Sequence, residues 1–215
     1  LGSVPSICNV MVPRAIERLK RKHPDLRIEI NILKIEEALD YLLLGKGEIA
    51  AMSYQLDHPG LDFIPLAMGE LFCIVPDGHA LAGRASVSAG EIVAHPLIGI
   101  DPNDPYGRIM SEIFVRNGLS FEMAIKARFG TTVCALVKAG LGIAIIDQFT
   151  VAHGAMPGIA AIPIEEPTQF QTYVAIKKDK APSLYAESFV KLLREEMNAV
   201  VVPQRHDEAS SPPKR

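Results

Sequence analysis

Two acidic residues stand where a charge is least expected. Asp101 follows the apolar run Leu97-Ile98-Gly99-Ile100, and Asp147 follows Ile143 to Ile146. A carboxylate at the tip of a buried strand either caps the next helix or holds a cation such as a ligand ammonium, because burying it unpaired is costly. Two hydroxyl clusters precede helical patterns, Ser3-Val4-Pro5-Ser6 and Thr131-Thr132. The first turn of a helix presents free N–H groups that favour anions, so these places suit a ligand carboxylate. Each also has a plain structural explanation. Ser6 serves as a local turn or cap residue, the Thr pair as an N-cap, and Asp101-Pro102-Asn103-Asp104-Pro105 as a turn. The candidate contacts are Ser3, Ser6, Ser53, Tyr54, Asp101, Asn103, Thr131, Thr132, Asp147 and Phe149. Acidic groups on one side and helix starts on the other favour an amino acid or a derivative such as an opine. A simple organic or aromatic acid stays open.

Other chemistries find little support. The six histidines are scattered, with no spacing that suits a metal. There is no Gly-x-Ser-x-Gly elbow, and Cys134 sits beside Leu136 and Val137 on what reads as a buried helix face. Gly140-Leu141-Gly142 lies between a helix and a strand, the reverse of a dinucleotide loop. Lys20-Arg21-Lys22 reads as a solvated helix face. For an enzyme, Asp101 with Asp147 is the one acid–base pair on offer. No catalytic residue, cofactor or metal is expected.

These residues need strands that end beside helix starts. Leu1 to Val4 reads as the end of a strand, which suggests a longer parent protein. Val12, Ala15, Ile16 and Leu19 recur at helical spacing, with a start near Asn9 and a stop at His23-Pro24-Asp25. Arg27 to Ile32 alternates as a strand. A second helix carries Ile35, Ala38, Leu39, Leu42 and Leu43 toward a left-handed cap at Gly45. Ile49 to Met52, Leu61 to Leu66, and Leu71 to Val75 closed by Pro76 complete a β-α-β-α-β order, which implies a parallel sheet. Leu97 to Ile100, a helix through Phe114, the alternating stretch Phe121 to Phe129, a helix from Thr131 to Gly140, and Ile143 to Ile146 build a second unit. A late strand, Phe170 to Ile176, and a helix through Tyr185, Phe189, Leu192 and Leu193 have nowhere to pack but the first unit. The expectation is an α/β protein of two Rossmann-like lobes joined by two crossover strands. Residues 1–76 with 165–202 form lobe I, 77–164 form lobe II, and 203–215 form a disordered tail.

Composition agrees. The 215 residues are 48% apolar and 22% charged, ordinary for a soluble domain. Twenty-two Lys and Arg against 25 Asp and Glu give a net charge of -3, so the basic surplus of a DNA-binding domain is missing. Cys8, Cys73 and Cys134 are an odd, widely spaced set, which suits thiols in a reducing compartment. No apolar run approaches the roughly 18 residues needed to cross a bilayer, and no signal peptide is visible. A cytoplasmic location with no membrane contact is expected.

Four segments together resemble the regulatory domain of LysR-type transcriptional regulators. Pro13, Leu19 and His23-Pro24-Asp25 match that family's first helix and turn. Leu42 to Ala50 matches its L-x-x-G-x-x-D-x-A segment, with Glu48 replacing Asp. Pro76 to Ala82 matches P-x-x-H-P-L-A, with Ala80 replacing Pro, and Val137 to Ala144 matches V-x-x-G-x-G-I-A. The likeness runs from Leu1 to about Met197. It implies a fold like type II periplasmic binding proteins, with a small-molecule effector in the cleft between lobes and the Thr131-Thr132 turn at its border. Many members carry Pro where this chain has Asp147, and a small hydroxyl residue near Lys34-Ile35, which is absent here. The resemblance also implies a bacterial, cytoplasmic protein whose DNA contact belongs to a missing N-terminal winged helix-turn-helix. Dimers of this domain and tetramers of the full-length protein follow from it as well. A secreted solute-binding protein, or a small enzyme on the same scaffold, is the alternative.

Overall fold

The computed structural model describes residues 1–201; the tail expected at 203–215 lies outside the described residues. The chain opens with β1 (Gly2–Ser3), α1 (Pro5–Cys8), α2 (Met11–Lys22), β2 (Asn31–Ile32), α3 (Ile35–Leu43), β3 (Ile49–Met52) and β4 (Leu61–Gly69). It continues through β5 (Leu71–Pro76), α4 (Ala89–Val93), β6 (Leu97–Gly99), α5 (Pro105–Arg116), β7 (Met123–Lys126), α6 (Gly130–Lys138), β8 (Ala144–Asp147), α7 (Gln148–Val151) and β9 (Ile159–Pro163). It closes with β10 (Phe170–Lys177) and α8 (Leu184–Val200).

Among the described residues the strands build three sheets, the first in one lobe and the other two in the second. In the first the order is β2-β1-β3-β10-β4, with β1 parallel to β2 and β3 and β10 antiparallel to both its neighbours. β3 has no polar side chain and is buried along its whole length, as a central strand covered on both faces should be. α2 buries Met11, Val12, Ala15 and Leu19, and α8 buries Phe189, Leu192, Leu193 and Met197. Each large apolar side chain so buried contributes roughly 1.5–3 kcal/mol. On their rims Arg14 and Arg18 pair with Glu196 at 3.0 and 2.9 Å, contacts worth at most about 1 kcal/mol each. Gly45, at φ 68°, supplies the left-handed residue that ends α3.

In the second lobe β5 lies between β8 and β9, antiparallel to both. β6 pairs with β7 in parallel and reaches the same layer through a bridge between Leu97 and Ile143. The three thiols are free and buried, and no helix among the described residues is long and apolar enough to cross a membrane.

Several expectations need correction. The strand expected over Arg27–Ile32 is confined to Asn31–Ile32, and Ile30 and Ile32 are exposed. Only those two residues pair with β1, although Leu26 and Ile28 still pack against the first core. The alternation from Phe121 to Phe129 likewise yields only β7. A short α1 precedes the first long helix. β4 extends to Gly69 rather than Leu66, because β10 pairs along it. The all-parallel first sheet is not observed, since β10 runs against its neighbours. The boundary drawn at Pro76 also moves. β5 belongs to the second sheet, and the chain crosses between Gly69 and Leu71.

Candidate functional site

A cleft open to solvent, about 770 Å³ with the solvent space at its mouth included, lies where the two lobes face each other. The first lobe supplies Ser6 and Asn9 from the β1–α2 connection, Lys34 at the start of α3, and Ser53 and Tyr54 just past β3. The second supplies Asp104 and Tyr106 at the start of α5, the turn Arg128-Phe129-Gly130-Thr131 that opens α6, then Thr150 and Met156. Apart from Asn9, which ends α1, and Met156, these contributors come from a strand tip or a helix start, the usual ligand position in open α/β sheets.

The rear wall is polar and fully satisfied. Asp104 caps α5 by accepting from the Tyr106 N–H at 2.8 Å. Gly107 lets that first turn close onto the loop, since a Cβ there would sit 2.1 Å from the Asp101 carbonyl oxygen. Tyr106 thereby reaches back to donate its hydroxyl to Asp147. Asp147 also accepts from the Thr150 N–H at 3.1 Å and hydroxyl at 2.7 Å, and so caps α7. Burial pushes the Asp147 carboxyl up, against the pull of Tyr106 and Thr150. Burial, then the adjacent carboxylate, pushes the Tyr106 phenol well above its ordinary value. On the first-lobe side the Ser6 and Ser53 hydroxyls are 3.1 Å apart.

The mouth is basic. Lys34 and Arg128 come from opposite lobes. Just outside, Glu37 pairs with Lys34 at 3.3 Å. The Lys34 backbone N–H holds the Glu37 carboxyl below its ordinary range, with the Lys34 side chain and the field of Arg128 adding to it. The first turn of α6 opens into the same space through Gly130 and Thr131, so two cations and a helix start converge there.

Of the residues singled out in the sequence, Ser6, Ser53, Tyr54 and Thr131 meet in this cavity. Others do not. Ser3 is buried and donates to the Val4 carbonyl. Asp101 bonds the Asn103 backbone and amide at 3.0 and 3.1 Å and Lys126 at 3.3 Å, so both form a turn outside the cavity. Thr132 does not line the space, and Phe129 rather than a Thr is the N-cap of α6. Asp147 is fully buried behind Tyr106, and Phe149 is packed in the first core against Phe170. Asp101 and Asp147 therefore form no acid–base pair in the cavity. Sequence reasoning passed over Lys34, Arg128 and Thr150. Lys34 follows β2 and Arg128 follows β7, so the strand-tip rule that picked Ser53 points to both.

Two α/β lobes, two crossings between them and a shared cavity define a two-lobed fold of the type II periplasmic-binding-protein kind. The chain belongs to the LysR substrate-binding domain family, whose model matches residues 1–198. The transcriptional activator LysR of Escherichia coli K12 is 20% identical over 74% of this chain and 51% of its own length, so the chain spans about half of that relative. HinK, a LysR family transcriptional regulator from Pseudomonas aeruginosa, superposes with a TM-score of 0.79 at 22% identity, over 91% of this chain and 69% of that one. The BenM effector-binding domain with its effector benzoate gives 0.78 at 21% identity, over 97% and 96%.

Proposed function

We propose that the chain is the effector-sensing part of a LysR-type transcriptional regulator and that it binds a small carboxylate-bearing molecule between its lobes. The carrying observation is the pair Lys34 and Arg128, which approach one cavity from opposite lobes beside the start of α6. A carboxylate held there contacts both lobes at once, and a charge-assisted hydrogen bond is about twice as strong as a neutral one. The benzoate carried by the BenM domain is a carboxylate as well. Residues 1–69 with 170–200 act as one lobe and 71–163 as the other, and the ligand biases how they close.

The ammonium half of the amino-acid expectation loses its first support, because Asp101 and Asp147 both lie away from the cavity surface. DNA contact belongs to an N-terminal winged helix-turn-helix beyond this chain, which agrees with a net charge of -3. Pairing into a homodimer, with tetramers of the full-length protein, is part of the same reading, as is action in a bacterial cytoplasm without catalysis.

A thermal-shift screen of small carboxylates tests it. A ligand at 100 times its Kd should add about 2.7 kcal/mol, and the gain should vanish in the doubly substituted Lys34→Ala, Arg128→Ala protein. Stabilisation by uncharged or cationic solutes alone would overturn the reading.

A further inference from the structure

Among the described residues three charged side chains line the cleft, Lys34, Arg128 and Asp104, and they are not equally committed. Lys34 already shares its charge with Glu37 at 3.3 Å. Arg128 and Asp104 take part in no ion pair among the described residues. They do not pair with each other either, although one lobe carries both. Local structure holds them apart. The Arg128 guanidinium lies over the Phe129 ring, 6.0 Å from its centroid, at the entrance to α6. Asp104 is drawn to the start of α5, where one carboxylate oxygen accepts from the Tyr106 N–H at 2.8 Å. Its other oxygen has no hydrogen-bond partner among the described residues, and the side chain is exposed. The uncharged lining does not discriminate, since Ser6, Asn9, Ser53 and Thr131 bring groups that both donate and accept. Charge does. What remains unneutralised along the cleft is one cation and one anion. A plain carboxylate settled at Arg128 leaves Asp104 as an unanswered like charge in the same space, whereas a ligand that also carries an ammonium meets both.

We propose that the cleft is charge-matched to a zwitterion: an amino acid places its carboxylate at Arg128 and the first turn of α6, and its ammonium at Asp104. This rests on the carboxylate reading above and names the ligand class for it. Asp104 then serves twice, with one oxygen capping α5 and the other binding. An ammonium beside an exposed acid gains little in open water. It gains more once the ligand itself displaces water from between the lobes, because the local dielectric falls. The preference for an amino acid thus returns through Asp104 rather than through Asp101 or Asp147.

Asp104→Asn isolates the charge, because asparagine caps a helix as well as aspartate does. Two matched probe sets, titrated calorimetrically, read this out: butyrate, 2-hydroxybutyrate, L-2-aminobutyrate and 4-aminobutyrate; and 3-phenylpropionate, 3-phenyllactate and L-phenylalanine. The hydroxy acids separate a preference for charge from a need for any donor, and the 2- and 4-amino isomers separate a near ammonium from a far one. The wild-type chain should favour an amino acid of at least one set over its parent acid by about tenfold or more, one charge-assisted hydrogen bond. In Asp104→Asn that preference should shrink to within about twofold, with the parent acid bound at least as tightly as before. Asp104→Ser, which also caps, repeats the measurement if the first variant fails to fold. Equal weakening of every probe makes Asp104 a structural cap and overturns the inference. So does a preference that survives the substitution, or one that the hydroxy acids share. If the parent acids bind and the ammonium adds nothing, this inference fails and the proposed function stands. If none of the seven binds, both fail.

Discussion

Arg128 and Lys34 are the residues whose loss should be felt first. Each reaches the cavity from its own lobe, and Lys34 shares its charge with Glu37 in an exposed pair at 3.3 Å that an incoming anion has to compete with. Arg128→Ala should weaken a carboxylate ligand by about 1.5–3 kcal/mol, roughly ten- to a hundredfold. Arg128→Lys should recover only part, since an ammonium cannot reproduce the planar fork of a guanidinium. Calorimetric Kd values decide it, and an unchanged Kd would place the anion elsewhere. His79 makes a different case. Burial, helped by the neighbouring His95, holds its imidazole below the ordinary 6.5, and its Nδ1 accepts from the Leu81 N–H at 3.2 Å. The folded chain thus binds that proton less readily than the unfolded chain. Its contribution is complete above pH 6.5 and is lost as pH falls through the lower folded value. Denaturant midpoints at about pH 7.5 and about pH 5.5 should drop less in His79→Asn than in the wild type.

α7 is only four residues long, yet it ties the crossing together. Gln148 accepts from the Glu70 N–H at 2.6 Å and donates to the Val200 carbonyl at 3.0 Å, while Phe149 plugs into the first-lobe core against Phe170. Phe149→Ala should cost about 3–5 kcal/mol of stability and leave the ligand Kd of the folded fraction unchanged; a large loss of affinity at unchanged stability would return Phe149 to the site. The sequence marks such elements unevenly. β3 and β8 are legible because an unbroken apolar run needs cover on both faces, and α2, α3 and α5 because their spacing leaves one face for the core. Arg27 to Ile30 misleads because alternation reports an apolar face, here Ile28 on the core, but not whether a neighbouring strand pairs with it. Ser6, Ser53 and Thr131 were within reach through the strand-tip rule. Asp101 and Asp147 follow the same rule but turn away from the cleft, since a strand tip says where a residue emerges and not which way its side chain is drawn. For Asp147 that is decided by Tyr106, a residue 41 positions earlier.

At the scale of the whole molecule the two-lobed plan was readable, because the last strand and helix had no unfilled place in the second unit. The membership of β5 was not. Adjacent strands joined by one residue suggest a hairpin, yet Glu70 carries the chain across to the other sheet. A ligand that bridges Lys34 and the Arg128-Thr131 turn should slow amide exchange at both places together, one in each lobe. Protection confined to one lobe would argue against bridging. The position of β10 has a further consequence. It occupies an interior slot between β3 and β4, although among the described residues it is the last strand to leave the ribosome. Until residues 170–177 emerge, β3 and β4 present two raw edges toward an empty channel, while the intervening lobe, continuous in the chain, has everything it needs to fold. Synthesis thus yields the inserted lobe first and completes its host last, with the closing strand sliding home between partners made long before.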